Sequence, residues 1–387
     1  MYRASRSKLS ATLIGIGALF AICAVIAGAL LASGTFRLSA IHAAGNNTFI
    51  ARFHTVSKVA STVPGNGDVN PYGTAVVPRS MGRLVGGDVL VSNFNNKANV
   101  QGTGTTIVQI APNGKTSLFA WIPAKGLKWT CPGGVGLTTA LVVLQRGWVI
   151  VGSLPTNARG VPQAGCLIVL NSNGKVVGTI AGKLINGPWD MAASDHGNWA
   201  ALFVANVLNG TVAARGHVSN KQTIVRINLN VPNQGLPSIK SATVIGSGFS
   251  ARTDPAALVI GPTGVALANN GTLYVADTLN NRIAAIPNAL MRTNSANAGL
   301  DVTANGALNA PLGLTIAPNG NILTVNGNDG FLVETTPRGV QISKALLDKT
   351  VTMGSAPGAG CLFGLAVRGQ NGIYFVDDCT NTLNLFH

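Results

Sequence analysis

Residues 261–286 read GPTGVALANNGTLYVADTLNNRIAAI. The run at 265–268 predicts a short inner strand, Asn269-Asn270-Gly271 a hairpin turn, and 273–276 a second strand. Residues 282–286 supply a third. Short apolar runs separated by Asn- and Gly-rich turns describe an antiparallel meander, since no 3.6-residue periodicity runs through them.

Working outward, the second strand of this unit has counterparts along the whole chain. VLVSN (89–93), VIVGS (149–153), LFVAN (202–206), LYVAD (273–277), ILTVN (322–326) and IYFVD (373–377) are apolar runs that each end in a small polar residue. Six similar units at an irregular period of roughly fifty residues predict a radially repeated all-β array, because one four-stranded sheet cannot bury both its faces alone. The expected fold is a six-bladed β-propeller with blades at about 70–120, 131–181, 186–247, 260–304, 309–348 and 359–387. The last unit holds only three strands, at 363–367, 373–377 and 383–386, and residues 49–63 are the one unassigned β-like stretch. Pairing 49–63 with 383–386 would close the ring and remove two open edges, so residues 44–387 are expected to form one domain.

Unit 261–286 resembles an NHL repeat: Pro262-x-Gly264, the Asn270-Gly271 turn, LYVADT at 273–278 and Asn280-Asn281-Arg282 follow that pattern closely. Residues 310–333 look like a degenerate copy, keeping Pro311, Gly313 and Asn319-Gly320 but losing the Asn-Arg tail. The resemblance implies a place among the gluconolactonase-like and TolB-like propellers, a fold that hosts lactonases, lyases and pure binding platforms, so it does not decide activity. Propeller lactonases of that kind use a Glu among their calcium or zinc ligands. The only Glu here, Glu334, is expected on an outer strand, and the His and Glu pairs of streptogramin-type lyases are not visible, which counts against close kinship with either.

Composition agrees with a turn-rich β protein. There are 48 glycines and only 12 acidic residues. Arg3, Arg6 and Lys8 precede an uncharged stretch at 9–36, long enough to span a bilayer as a helix. Residues 1–43 are therefore expected to be a signal peptide or a signal-anchor transmembrane helix, with the remainder periplasmic or on the extracellular face. Without the four basic residues of that segment, the net charge of +15 falls to +11, a field that favours anionic surfaces. The basic residues are scattered and aromatics make up only 5%, so no nucleic-acid interface is expected.

Outside the leader the cysteines are Cys131, Cys166, Cys361 and Cys379. Cys131 precedes the first strand of its blade and Cys166 the third; Cys361 and Cys379 stand in the matching places of theirs. Those turns share a rim, so the expected disulfides are Cys131–Cys166 and Cys361–Cys379. A zinc site is the competing use of these residues, although no Cys-x-x-Cys spacing supports it.

Inner-strand starts and the turns after second strands line one rim, where a site drawn from several blades would lie. Gly73, Gly136, Gly264, Gly313 and Gly364 are expected at the inner-strand starts, and the third blade has Asp190 there instead, beside Trp189. Asp190 is thus a candidate ligand for a cation or polar substrate, or a turn cap. Trp189 is a wall for an organic ligand, or blade packing. The second-strand ends include Asn93, Asn206, Asn326, Asp277 and Asp377. Their side chains suit turn stabilisation, or, for the three Asn, ligand contacts. The sharper alternative joins Asp190, Asp277 and Asp377 around a divalent cation such as calcium. No serine-hydrolase elbow, phosphate loop or His-Glu-x-x-His occurs. Two expectations follow: a monomeric, membrane-tethered binding platform for an envelope protein or anionic envelope component, or a metal-dependent hydrolase or lyase with its site at the channel mouth.

Overall fold

The computed structural model describes residues 48–387 apart from 125, 352 and 353. The leader expected at 1–43 lies outside the described residues, among which no helix is long and apolar enough to cross a membrane.

Six antiparallel sheets follow one another along the chain. Their inner strands are Val69–Val76, Leu137–Val143, Pro188–Asp195, Pro262–Leu267, Pro311–Ile316 and Leu362–Val367. Each packs beside the next, and the sixth beside the first, so the inner strands enclose a central channel. The second strands Val149–Ser153, Leu273–Asp277 and Ile322–Asn326 are buried along their whole length. Both faces of such a strand meet a neighbouring blade, which is why these segments read as continuous apolar runs rather than alternating ones. The core is accordingly a set of clusters in the seams between blades.

Val56–Ser61 is the fourth strand of the last blade, as expected. It pairs antiparallel with Thr382–Phe386, from Val56 opposite Phe386 to Ser61 opposite Thr382. A second device holds the same segment. Glu334 lies on the third strand of the fifth blade, Phe331–Thr335, not on an outer strand, and is fully buried. Its carboxylate accepts the backbone N–H groups of Phe49 (2.8 Å) and Ile50 (2.9 Å) and the side-chain amides of Asn319 (3.0 Å) and Asn321 (2.7 Å). Phe49 and Phe53 then pack edge to face, and Phe53 does so against Phe386 of the closed blade.

The third blade departs from expectation. Its outer strand runs past residue 247, as Ser238–Asp254, and folds back on a fifth strand, Leu258–Ile260. Asp254 makes the turn, its Oδ1 accepting from the Ala256 and Ala257 backbone N–H groups. Disulfides join Cys131 to Cys166 and Cys361 to Cys379.

Because four donors converge on one buried carboxylate, Glu334→Ala leaves them unsatisfied and should lower stability by roughly 2–4 kcal/mol. A urea midpoint that falls clearly, with the third blade's Asn228→Ala close to wild type, is the expected result.

Candidate functional site in the central channel

Backbone register decides which side chains reach the channel. In every blade a residue at or near the start of the inner strand faces one at or near the end of the second: Pro71 faces Asn93, Leu137 Ser153, Pro188 Asn206, Pro262 Asp277, Pro311 Asn326 and Leu362 Asp377. A bulge follows each of these pairs. Counting from that common point, the second residues along form a ring of Gly73, Thr139, Asp190, Gly264, Gly313 and Gly364. Glycine dominates because neighbouring strands crowd here: a Cβ at Gly264 would collide with the Leu312 carbonyl, at Gly313 with that of Phe363, and at Gly364 with that of Tyr72. In the second blade the ring position falls to Thr139. Gly136, expected there, lies one residue before the strand, which begins at Leu137 opposite Ser153.

Asp190 and Thr139 therefore project where most blades have no side chain. They line a cavity of about 460 Å³ with Thr74, Met191 and Thr315, reaching Asn269 and Pro318 at the far ends of the inner strands. Asp190 Oδ2 accepts from the Val265 backbone N–H at 3.0 Å. Burial pushes its carboxyl up to about 7, against the opposing pull of the Met191 and Val265 N–H groups. The hydroxyls of Thr139 and Thr74 have no hydrogen-bond partner within the protein.

The residues one step earlier close this cavity off. Tyr72 stacks on Phe363 (4.1 Å between centroids) and on Phe94 (4.6 Å), while Trp189 meets Tyr72 and Phe94 edge to face (5.8 and 5.5 Å). On the other side of this aromatic layer lies a second cavity of about 440 Å³, which shares no lining residue with the first. Tyr72, Trp189, Phe363 and Leu312 form its floor, and Asn70, Arg252, Asp254, Asn328 and Asp378 are among its walls. Arg252 pairs with Asp254 at 2.8 Å. Burial, and next the charge of Asp377, push the Asp378 carboxyl up to about 7. Tyr72 is likewise raised, by burial first and then by Asp378. Asn70 holds a left-handed backbone (φ 62°) with its N–H donated to Asn381 Oδ1 at 2.7 Å.

The sequence candidates divide between these surroundings. Trp189 is 3% exposed and belongs to the layer, on the other side of it from the Asp190 cavity, so the two neighbours serve different spaces. Asn93, Asn206 and Asn326 are fully buried and clamp loops. Asn93 donates to the Thr62 carbonyl (3.0 Å); Asn206 accepts from Asn186 N–H (2.8 Å) and donates to Leu184 O (3.2 Å); Asn326 accepts from Asn309 N–H (3.0 Å) and donates to Ala307 O (2.9 Å). These three hold the chain entering each blade and line neither channel cavity.

Asp277 is also committed elsewhere, to Arg282 Nε at 2.8 Å and to the Asn280 amide at 3.0 Å. Asp190, Asp277 and Asp377 are not brought together. Second strands lie one strand out from the channel, so their terminal side chains are taken up by the seams and turns there. Among the described residues, the grouping tight enough for a metal ion is instead Asp348, Cys361, Asp377 and Cys379. Sequence reading missed Tyr72 and Phe363, although they hold the same offset as Trp189. It also missed Asp378, the residue after a second-strand end, and Arg252 and Asp254, which the extended hairpin of the third blade delivers.

The NHL repeat family model matches residues 260–286. No curated protein sequence matches the chain. Solved structures with a similar fold include a gluconolactonase from Xanthomonas campestris, at 11% identity over 85% of this chain and 88% of that one, with a TM-score of 0.51. The calcium-binding protein regucalcin from Agrobacterium tumefaciens is similar at 13% identity over 84% and 92%, with a TM-score of 0.50. A luciferin-regenerating enzyme is similar at 11% identity over 86% and 94%, also at 0.50. At these identities the shared property is the propeller fold.

An acid whose folded-state pKa lies above its unfolded value binds a proton in the native state that the unfolded chain has released. Stability therefore falls as pH rises from about 4 to about 7 and levels off above that. Asp190→Asn should remove its share of this slope, on the order of a few kcal/mol, while the share from Asp378 persists. Urea midpoints of wild type and variant at pH 5 and pH 8 measure it; the variant should gain on wild type at pH 8.

Proposed function

We propose that this chain, an NHL repeat set in a six-bladed propeller, is an exported binding protein that takes a small organic molecule in the mouth cavity above the aromatic layer. The observation that carries the reading is the cavity itself: an aromatic floor of Tyr72, Trp189 and Phe363 beneath Asp378 and the Arg252–Asp254 pair. Its volume suits a small ligand, and a mostly apolar wall with a few fixed polar groups is the common form of such sites. Asp254 is balanced by Arg252, and Asp378 adds a carboxyl that is neutral below about pH 7 and negative above it, so a cationic or neutral hydroxylated ring fits the cavity better than an anion does. An anionic envelope component would use the basic outer surface instead. The basic and apolar leader at 1–43 and the two disulfides support export, with a membrane tether where the leader is retained.

A second reading is a hydrolase or lyase. Asp378, in a cavity closed at its base, favours it, since a carboxyl brought up to about 7 can give and take a proton near neutral pH. The likeness to a gluconolactonase adds lactones and esters to the substrates worth trying.

A thermal-shift screen of small aromatic amines and polyols tests the binding reading. A compound that stabilises wild type should bind roughly tenfold more weakly, or worse, to Trp189→Leu and Asp378→Asn, and equally well to Asp190→Asn. Compounds indifferent to Trp189 and Asp378 would contradict it. Turnover of a lactone or ester that is lost in Asp378→Asn would instead establish the second reading.

A further inference from the structure

A cluster outside both cavities joins two blades. Asp348 follows the outer strand Gln341–Leu346 of the fifth blade; Cys361 precedes the inner strand of the sixth, Asp377 ends its second strand, and Cys379 sits in the turn after it. One ligand atom from each of the four lies within 4.8 Å of all the others. Asp348 and Asp377 are 7% and 6% exposed. Asp348 Oδ1 takes the Thr350 N–H (2.8 Å) and hydroxyl (2.7 Å), but its Oδ2, equally buried, has no partner within the protein. Two buried carboxylates, one with an idle oxygen, stand against the two sulfurs of the Cys361–Cys379 disulfide. Among the described residues no Lys, Arg or His pairs with Asp348 or Asp377, so the two buried carboxyls have no positive partner there.

We propose that this cluster is a redox-controlled zinc site, closed by the disulfide and opened by its reduction. Two thiolates and two carboxylates give four donors, the coordination number and mixed softness that zinc accepts, whereas calcium requires six to eight oxygens. The donors are carried by strand ends and a short turn, on the framework that already holds them close. Cys379 is the exposed member, which gives a thiolate access to the bond. A small dithiol supplies two electrons and two protons, leaving Cys361 and Cys379 as thiols and itself as a disulfide. Zinc then displaces both thiol protons to solvent. A small disulfide reverses the sequence by thiol–disulfide exchange, taking the two electrons and two protons to leave as a dithiol while the Cys361–Cys379 bond re-forms and the metal departs, so zinc and the disulfide compete for the same sulfurs. The inference does not depend on the mouth cavity holding a ligand, although Asp378, between Asp377 and Cys379, links the two places in the chain.

Cobalt reports the chemistry directly, because thiolate ligation gives a near-ultraviolet charge-transfer band and a tetrahedral site gives intense visible bands. The full chain is reduced without oxygen, titrated with Co²⁺ and then with Zn²⁺, with near-ultraviolet circular dichroism confirming the fold at each stage. The expected result is both sets of bands in reduced wild type, their absence in the oxidised protein, and their displacement by Zn²⁺. Asp348→Asn, which keeps the disulfide and the shape of the side chain, should weaken cobalt binding by more than roughly tenfold. Reduced, folded wild type without a charge-transfer band would overturn the proposal. So would a band of equal strength and affinity in Asp348→Asn, which would place the metal on other cysteines.

Discussion

The antiparallel pairing of Val56–Ser61 with Thr382–Phe386 is the constraint on which the rest depends. Without it the sixth blade would have three strands and both chain ends would present unpaired edges. With it the inner strands pack in a continuous ring, and the channel has a fixed width. Glu334 reinforces the closure from an adjacent blade by gathering the backbone N–H groups of Phe49 and Ile50. The chain's only glutamate is thus spent on holding the ring shut, not on a ligand.

Fixed width makes the channel selective about side chains. Four blades place glycine at the level of Asp190, where the next strand's carbonyl leaves no room for a Cβ. Thr139 and Asp190 are the two exceptions. One residue earlier the channel is wide enough for Tyr72, Trp189 and Phe363, and these rings meet to form a partition. A single step along six strands thereby separates a polar inner cavity from a mouth cavity with an aromatic floor.

Much of the architecture was legible because blades are local objects. Strand runs, turns and the missing fourth strand lie in sequence order, and each disulfide falls within one blade, so repeat alignment located them. Asp190 was legible as a departure from the repeat. The exchange of Gly136 for Thr139 was not, because the inner strand of the second blade starts at Leu137, one residue past that glycine, so the ring position falls on Thr139. The Asn and Asp residues at second-strand ends share a spacing with functional rings but not a direction; Asn206 and Asn326 bond to incoming loops, and Asp277 to Arg282. The mouth was least legible. Arg252 and Asp254 reach it through a hairpin that has no counterpart in the other blades. Outside it, Asp348 meets Asp377 only across a blade junction, which was no more legible.

We infer that the aromatic partition makes the mouth, rather than the inner cavity, the ligand site. Soaking crystals with a mixed set of small aromatic amines and polyols tests it most directly. Electron density for bound compounds is expected above Trp189 and Phe363, within reach of Asp378. Compounds found only beside Asp190, or only outside the ring of blades, would contradict it.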